Sequence, residues 1–143
     1  MPMPDSLMEW IMFDLREDEA LRLFPYRCPA GFLTIGYGRN LEAKGISRSE
    51  ADIMLRNDIV EAQISLQRTF PGIEARLSTN RYRVIVEMIF NLGLAGTLKF
   101  NKMWSAIGAG DFGEAAAEML DSKWARQVKG RAVELAEIMR HGI

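Results

Sequence analysis

An α+β fold, with a small β element near the N-terminus followed by a long helix and a compact helical half, is predicted by three features of the chain. Glu19 to Gly38, EALRLFPYRCPAGFLTIGYG, is rich in glycine and aromatics and turns at Pro29-Ala30-Gly31, the pattern of a β-hairpin. From Ser47 to Phe70 runs an uninterrupted helical periodicity. Beyond Pro71-Gly72 come shorter apolar segments, each bounded by glycine or a capping residue.

Taken in order, Asp5 or Ser6 caps a first helix whose Leu7, Ile11 and Leu15 share one stripe, with Met8 and Met12 beside them. It ends near Glu17 to Glu19, and the hairpin follows. A short connection, Leu41 to Gly45, leads to Ser47-Arg48-Ser49-Glu50, a capping box. In the helix that it opens, Ala51, Leu55, Ile59, Ala62, Leu66 and Phe70 fall on one side, over a length of about 30 Å.

Pro71-Gly72 stops that helix. Ser78-Thr79 opens the next, apolar on nearly every side through Tyr82, Val84, Ile85, Val86, Met88, Ile89 and Phe90, and therefore the buried central helix. Asn91-Leu92-Gly93 closes it with a glycine C-cap, and Thr97 opens another that carries Leu98, Phe100, Met103, Trp104 and Ile107. Asp111 with Glu114 forms a second capping box before an alanine-rich helix to Leu120. Ser122 caps a short turn with Lys123, Trp124 and Gln127, and Gly130-Arg131 precedes a last helix. The expected organisation is one domain, 1–143, with an N-terminal helix and β lobe (1–46), a connecting helix (47–70) and a helical lobe (71–143).

Composition excludes several functions. The 143 residues carry a net charge of −1, with 8 basic and 11 acidic side chains in residues 1–71 against 10 and 8 in 72–143. There is no basic patch for nucleic acid. Apolar runs such as Val84-Ile85-Val86 are broken by charge far short of a bilayer span. One cysteine and one histidine, the near-terminal His141, give poor support to an internal disulfide, a zinc site or Cys-His catalysis. No metal or organic cofactor is expected. MPMPDSLMEW has neither the basic region nor the unbroken apolar core of a secretory signal, so export by the general pathway is not expected.

Glu19 is the residue that draws attention. Asp14, Glu17, Asp18 and Glu19 crowd a helix C-terminus, where the dipole disfavours negative charge. Such a carboxyl should resist ionisation, as a general acid near neutral pH must. On charge alone, it reads equally as a solvated helix end.

Eight residues separate Glu19 from Cys28, and five separate Cys28 from Thr34. In this spacing and setting the stretch resembles the active-site segment of the phage-type lysozymes, the T-even phage lysozyme family of glycoside hydrolases. RYRVIVEMIFNLG and DSKWARQVKGRA are similar to that family's helical lobe, so the resemblance covers most of the chain. It implies an α+β lysozyme-like fold with the active site in a cleft between a β-hairpin lobe and the helical lobe. It places the catalytic acid at Glu19 and the second and third catalytic positions at Cys28 and Thr34.

Glycoside hydrolysis needs one group to protonate the leaving oxygen and another to handle water on the opposite face of the sugar. Glu19 suits the first role. The family's commonest residue at Cys28 is aspartate, and a thiol with a reference pKa of about 8.5 is mostly neutral at pH 7. Cys28 is then base, water positioner or a small hydrophobe in a turn. Taken alone, Thr34 is an ordinary strand residue.

On the helical lobe, the resemblance makes Phe90, Asn91, Trp124 and Gln127 sugar contacts, whereas Phe90 and Trp124 read by themselves as core and Asn91 as a cap. Arg131 matches a family arginine that pairs with the catalytic glutamate. Two other residues depart from the family pattern: Arg39 where histidine is common, and Val128 where threonine is.

The resemblance implies a monomeric muramidase that inverts at the anomeric carbon of bacterial peptidoglycan. It further implies a phage endolysin that collects in the host cytoplasm before lysis and acts on the cell wall. The alternatives are a lytic transglycosylase using the same acid, a catalytically silent wall-binding module, and a virion-borne lysozyme.

Overall fold

The computed structural model describes residues 4–143, so the first three positions of the expected N-terminal lobe lie outside the described residues. The chain divides into two compact units, the first ending at Asp52 and the second running Ile53–Ile143.

The first unit opens with α1 (Asp5–Asp18). Its N-cap is Pro4 and no side chain caps it, so neither Asp5 nor Ser6 plays the expected role. Asp5 sits instead in the first turn, where its charge favours the helix dipole. None of its residues is buried: Leu7, Ile11 and Leu15 are exposed, and so are Trp10 and Phe13.

The β element is a three-stranded antiparallel sheet in the order β1 (Arg22–Arg27), β2 (Leu33–Gly36), β3 (Arg39–Asn40), one strand more than the expected hairpin. Tyr26 pairs with Thr34, Arg27 with Leu33, and Thr34 again with Asn40 on the far side. The register breaks between Arg22 and Tyr26, where β1 has four residue steps against two on β2. Pro25 explains the break, because it offers no N–H to the ladder and is tolerated on an edge strand.

Leu41 to Gly45, expected as a plain connection, contains a one-turn helix α2 (Leu41–Lys44), whose Ala43 N–H donates to the Asn40 side chain at 3.0 Å. The Ser47/Glu50 capping box forms in both directions. Glu50 N–H donates to Ser47 Oγ at 3.1 Å and Ser47 N–H donates to Glu50 Oε1 at 2.9 Å, starting α3 (Arg48–Thr69). Among the described residues of this unit, Thr34 is the buried side chain.

The second unit holds the apolar core. Pro71-Gly72 does end α3, but a single turn, α4 (Ile73–Arg76), intervenes before Ser78 caps α5 (Thr79–Leu98). Val84, Ile85 and Met88 are fully buried, as a central helix requires. Gly93 takes φ 75° and ψ 166°, a kink after which helix resumes. Thr97 therefore opens nothing: it lies inside the resumed turn, fully buried, its hydroxyl donating to Gly93 O at 2.9 Å.

Next come α6 (Asn101–Gly108), α7 (Phe112–Leu120), α8 (Lys123–Val128) and α9 (Gly130–His141), which starts two residues earlier than expected and includes Arg131. Asp111 caps α7 through Glu114 N–H at 3.0 Å, but its own N–H goes to Ala106 O, so only half of that capping box forms. The interior is rich in sulfur: Met88, Met103, Met119 and Met139 are completely buried, each contributing about 1.5–3 kcal/mol by leaving water. Phe70 stacks on Trp104 with ring centroids 4.7 Å apart. Arg81 closes the end of α9, donating to Met139 O at 2.7 Å and Arg140 O at 2.9 Å with its guanidinium 3.6 Å above the Phe112 ring.

Candidate active site

Glu19 is the residue on which α1 ends. Its backbone is extended, at φ −101° and ψ 129°, while its N–H still donates to Leu15 O at 2.8 Å, so the side chain leaves the helix as the chain turns toward β1. The β2–β3 turn returns to the acid: Gly38, at φ 81°, lies against the Glu19 carboxyl, and a Cβ there would stand 3.5 Å from Oε2. Glu19 is exposed, on the solvent side of this contact.

Cys28 sits where β1 turns into β2. Its N–H donates to Phe32 O at 3.0 Å and its carbonyl accepts from Gly31 N–H at 2.7 Å, closing a tight loop that places Gly31 at φ 88°. The loop is held from outside by Arg27, which donates to Gly31 O at 3.0 Å and pairs with Glu42 at 3.1 Å.

The backbone amide of Phe32 draws the Cys28 thiol below its ordinary pKa. Partial desolvation opposes it, and the amides of Ala30 and Gly31 and the Thr34 hydroxyl reinforce it. The thiol is therefore easier to ionise than its reference value alone implies. Thr34 is buried, and its single hydroxyl proton goes to Phe32 O at 2.8 Å. It can serve a thiolate only by rotating away from that carbonyl, which still accepts from Cys28 N–H.

The predicted residues of the second unit gather around two cavities. One, of about 720 Å³, is lined by Phe90, Asn91, Trp124 and Arg131 together with Glu87 and Tyr82. The other, of about 530 Å³, is lined by Trp124 and Gln127. Trp124 borders both. It is 4 % exposed, which fits its reading as core, yet its indole N–H has no acceptor. Phe90, in contrast, is 46 % exposed, too open for core. Asn91 and Gln127 are exposed.

Arg131 is ion-paired within its own unit, to Glu87 and, at 2.7 Å, to Glu134. Glu87 is the residue that sequence reasoning missed. One of its carboxylate oxygens is buried without a partner. The available signal was its position as the lone acid in the apolar run Val84 to Phe90.

A family model described as phage lysozyme matches residues 16–140. An endolysin of Acyrthosiphon pisum secondary endosymbiont phage 1 is 30% identical over 130 residues, covering 88% of this chain and 85% of that protein. The pre-baseplate central spike protein of Enterobacteria phage T4 is also 30% identical, over 90% of this chain but only 27% of its own length. Probable T4-type lysozyme 1 of Dictyostelium discoideum is 26% identical over 90% of this chain and 92% of its own. The matched span takes in the Glu19, Cys28 and Thr34 stretch and runs through α9, and on that extent the chain belongs to the phage lysozyme family.

Proposed function

We propose that the chain is a peptidoglycan hydrolase, a muramidase cutting the β-1,4 bond between N-acetylmuramic acid and N-acetylglucosamine with inversion. The observation that carries this reading is local to the first unit. One short sheet sets Cys28 among amide donors beside Thr34 and returns Gly38 to the carboxyl of Glu19. Membership of the phage lysozyme family and the endolysin relative support it.

In the reaction, the protonated Glu19 carboxyl gives its proton to the glycosidic oxygen as the C1–O bond breaks and positive charge spreads over the sugar ring. Water adds to C1 from the opposite face. Its proton passes to Cys28, whose thiolate is favoured by the surrounding amides, and the Thr34 hydroxyl orients the water. Where a well-formed cation precedes attack, a weak base held in place suffices. Phe90, Asn91, Trp124 and Gln127 bind the glycan, and Arg131, fixed by Glu87 and Glu134, supports their surface. No single described helix is long and apolar enough to cross a membrane. The proposed setting is an endolysin held in the host cytoplasm until lysis opens the way to the wall.

Mass spectrometry of fragments released from purified peptidoglycan by the wild type and by Glu19→Gln tests the reading. Hydrated reducing-end muramic acid, absent with the variant, is expected. Anhydro ends would establish a transglycosylase instead, and no release by either protein would leave only a wall-binding module.

A further inference from the structure

Gly31 and Phe32 share one peptide unit, and its two polar ends have different partners. The carbonyl, on Gly31, accepts from Arg27 Nη1 at 3.0 Å, and the same nitrogen pairs with Glu42 Oε1 at 3.1 Å. The N–H, on Phe32, is the foremost of the amides that act on the Cys28 sulfur. A trans peptide is planar with its oxygen and hydrogen on opposite sides, so whatever fixes the carbonyl also aims the N–H. A cation on the oxygen further polarises the unit and strengthens the N–H as a donor.

The anchor for this plane spans the sheet. Arg27 ends β1 at one edge, whereas Glu42 lies on α2, which follows β3 at the other edge and is capped by the Asn40 side chain. Among the described residues, Arg27 is the charged side chain that hydrogen-bonds the 28–31 loop. Its side chain is 66 % exposed and that of Glu42 45 %, so the pair adds little to stability. We propose that Arg27 and Glu42 are positioning residues for the water-handling thiol: Glu42 holds Arg27, Arg27 holds the Gly31–Phe32 peptide plane, and the plane aims its N–H at Cys28. This rests on the hydrolase reading above, in which Cys28 takes the proton of the attacking water.

A cation acting on the thiol through space makes the opposite prediction. Losing Glu42 would then leave Arg27 unopposed and let Cys28 ionise more readily, whereas under positioning the loss loosens the plane and Cys28 ionises less readily. Alkylation of Cys28 by iodoacetamide against pH, on the substrate-free chain, separates the two in Arg27→Ala and Glu42→Ala. Both midpoints should move up, with Tm within about 4 °C of wild type. Cleavage of soluble peptidoglycan fragments should fall roughly three- to tenfold in kcat with KM unchanged, and Arg27→Ala should add nothing to Cys28→Ala. A midpoint that falls in Glu42→Ala, midpoints that stay in place, or cleavage at the wild-type rate in both variants would overturn the proposal. Midpoints that rise while not even the wild type cleaves would sink the hydrolase reading alone and leave the positioning of Cys28 standing.

Discussion

Gly38 lies against the carboxyl of Glu19: the glycine's missing side chain is the space beside which the acid's carboxyl rests. The spacing is ordinary contact, so an added methyl does not collide with the carboxyl. The φ of 81° is what excludes other residues. A non-glycine residue in this region costs about 1–2 kcal/mol. Gly38→Ala should lower Tm accordingly and reduce lytic rate by more than the fraction unfolded accounts for, because relaxing the turn moves the surface that bounds Glu19. Wild-type turnover in the folded variant would show that the contact is incidental.

Cys28 should ionise more readily in the folded chain than in the denatured one, because amide donors converge on it. With the folded pKa depressed, the thiolate fraction rises as pH climbs through a lower value than that of the unfolded thiol. Alkylation of Cys28 by iodoacetamide, followed against pH, should have its midpoint below that of the urea-denatured protein. Thr34→Val should move the midpoint upward. Identical midpoints folded and unfolded would remove the amide cradle as a cause.

Cleavage by Cys28 variants separates base from bystander. Cys28→Asp should keep or raise activity, since a carboxylate is ionised throughout the neutral range, whereas Cys28→Ala should lower it by roughly ten- to a hundredfold. Full activity in the alanine variant would take Cys28 out of the mechanism.

Arg39, which stands where the family often has histidine, makes a two-pronged pair with Glu50, at 2.9 Å through Nη2, and donates to Gly45 O at 3.1 Å. With Ser47 N–H also donating to it, the Glu50 carboxyl is lowered to about 2. A depressed carboxylate stabilises the fold above its unfolded pKa, and that stability fades as pH falls through the folded value. Glu50→Gln should therefore melt a few degrees lower than wild type at neutral pH, with the gap closing toward pH about 2. A gap independent of pH would mean that shape, not charge, holds this junction. Unlike an imidazole, the Arg39 partner keeps its charge at every pH in the range.

Arg81 is the cap of α9, satisfying two terminal carbonyls while covering Phe112. Arg81→Ala should cost about 2–3 kcal/mol, read from urea midpoints, and should speed amide exchange in the last turn of α9 before it affects α5. A loss below about 0.5 kcal/mol would show that water replaces the cap without penalty.

The fold class and most helix starts were legible because the signals are local. Ser47, Ser78, Asp111 and Ser122 each accept an N–H three residues on, and side-chain spacing alone predicts that bond. What escaped was decided by backbone geometry or by distant partners. Gly93 breaks the helical path where the sequence places a glycine C-cap, but helix resumes directly after it, so Thr97 falls inside the resumed turn, not at a helix start. α2 and α4 are single turns too short to show a period.

The candidate site was legible in part. The spacing of Glu19, Cys28 and Thr34 marked the stretch, but not the amides that act on Cys28, since main-chain donors leave no trace in residue identity. Glu87 was hidden for a different reason: a lone acid in an apolar helix gains meaning only once Arg131 arrives from α9.

The four inner methionines make the helical unit a clock for its own opening. Thioethers are oxidised by peroxide only where it can reach them. Met8, Met12 and Met54 stand exposed, while Met88, Met103, Met119 and Met139 meet the reagent only when the packing around them parts. Sulfoxide should thus accumulate in two kinetic classes, and the slow class, resolved peptide by peptide, counts the openings of the interior without any added probe.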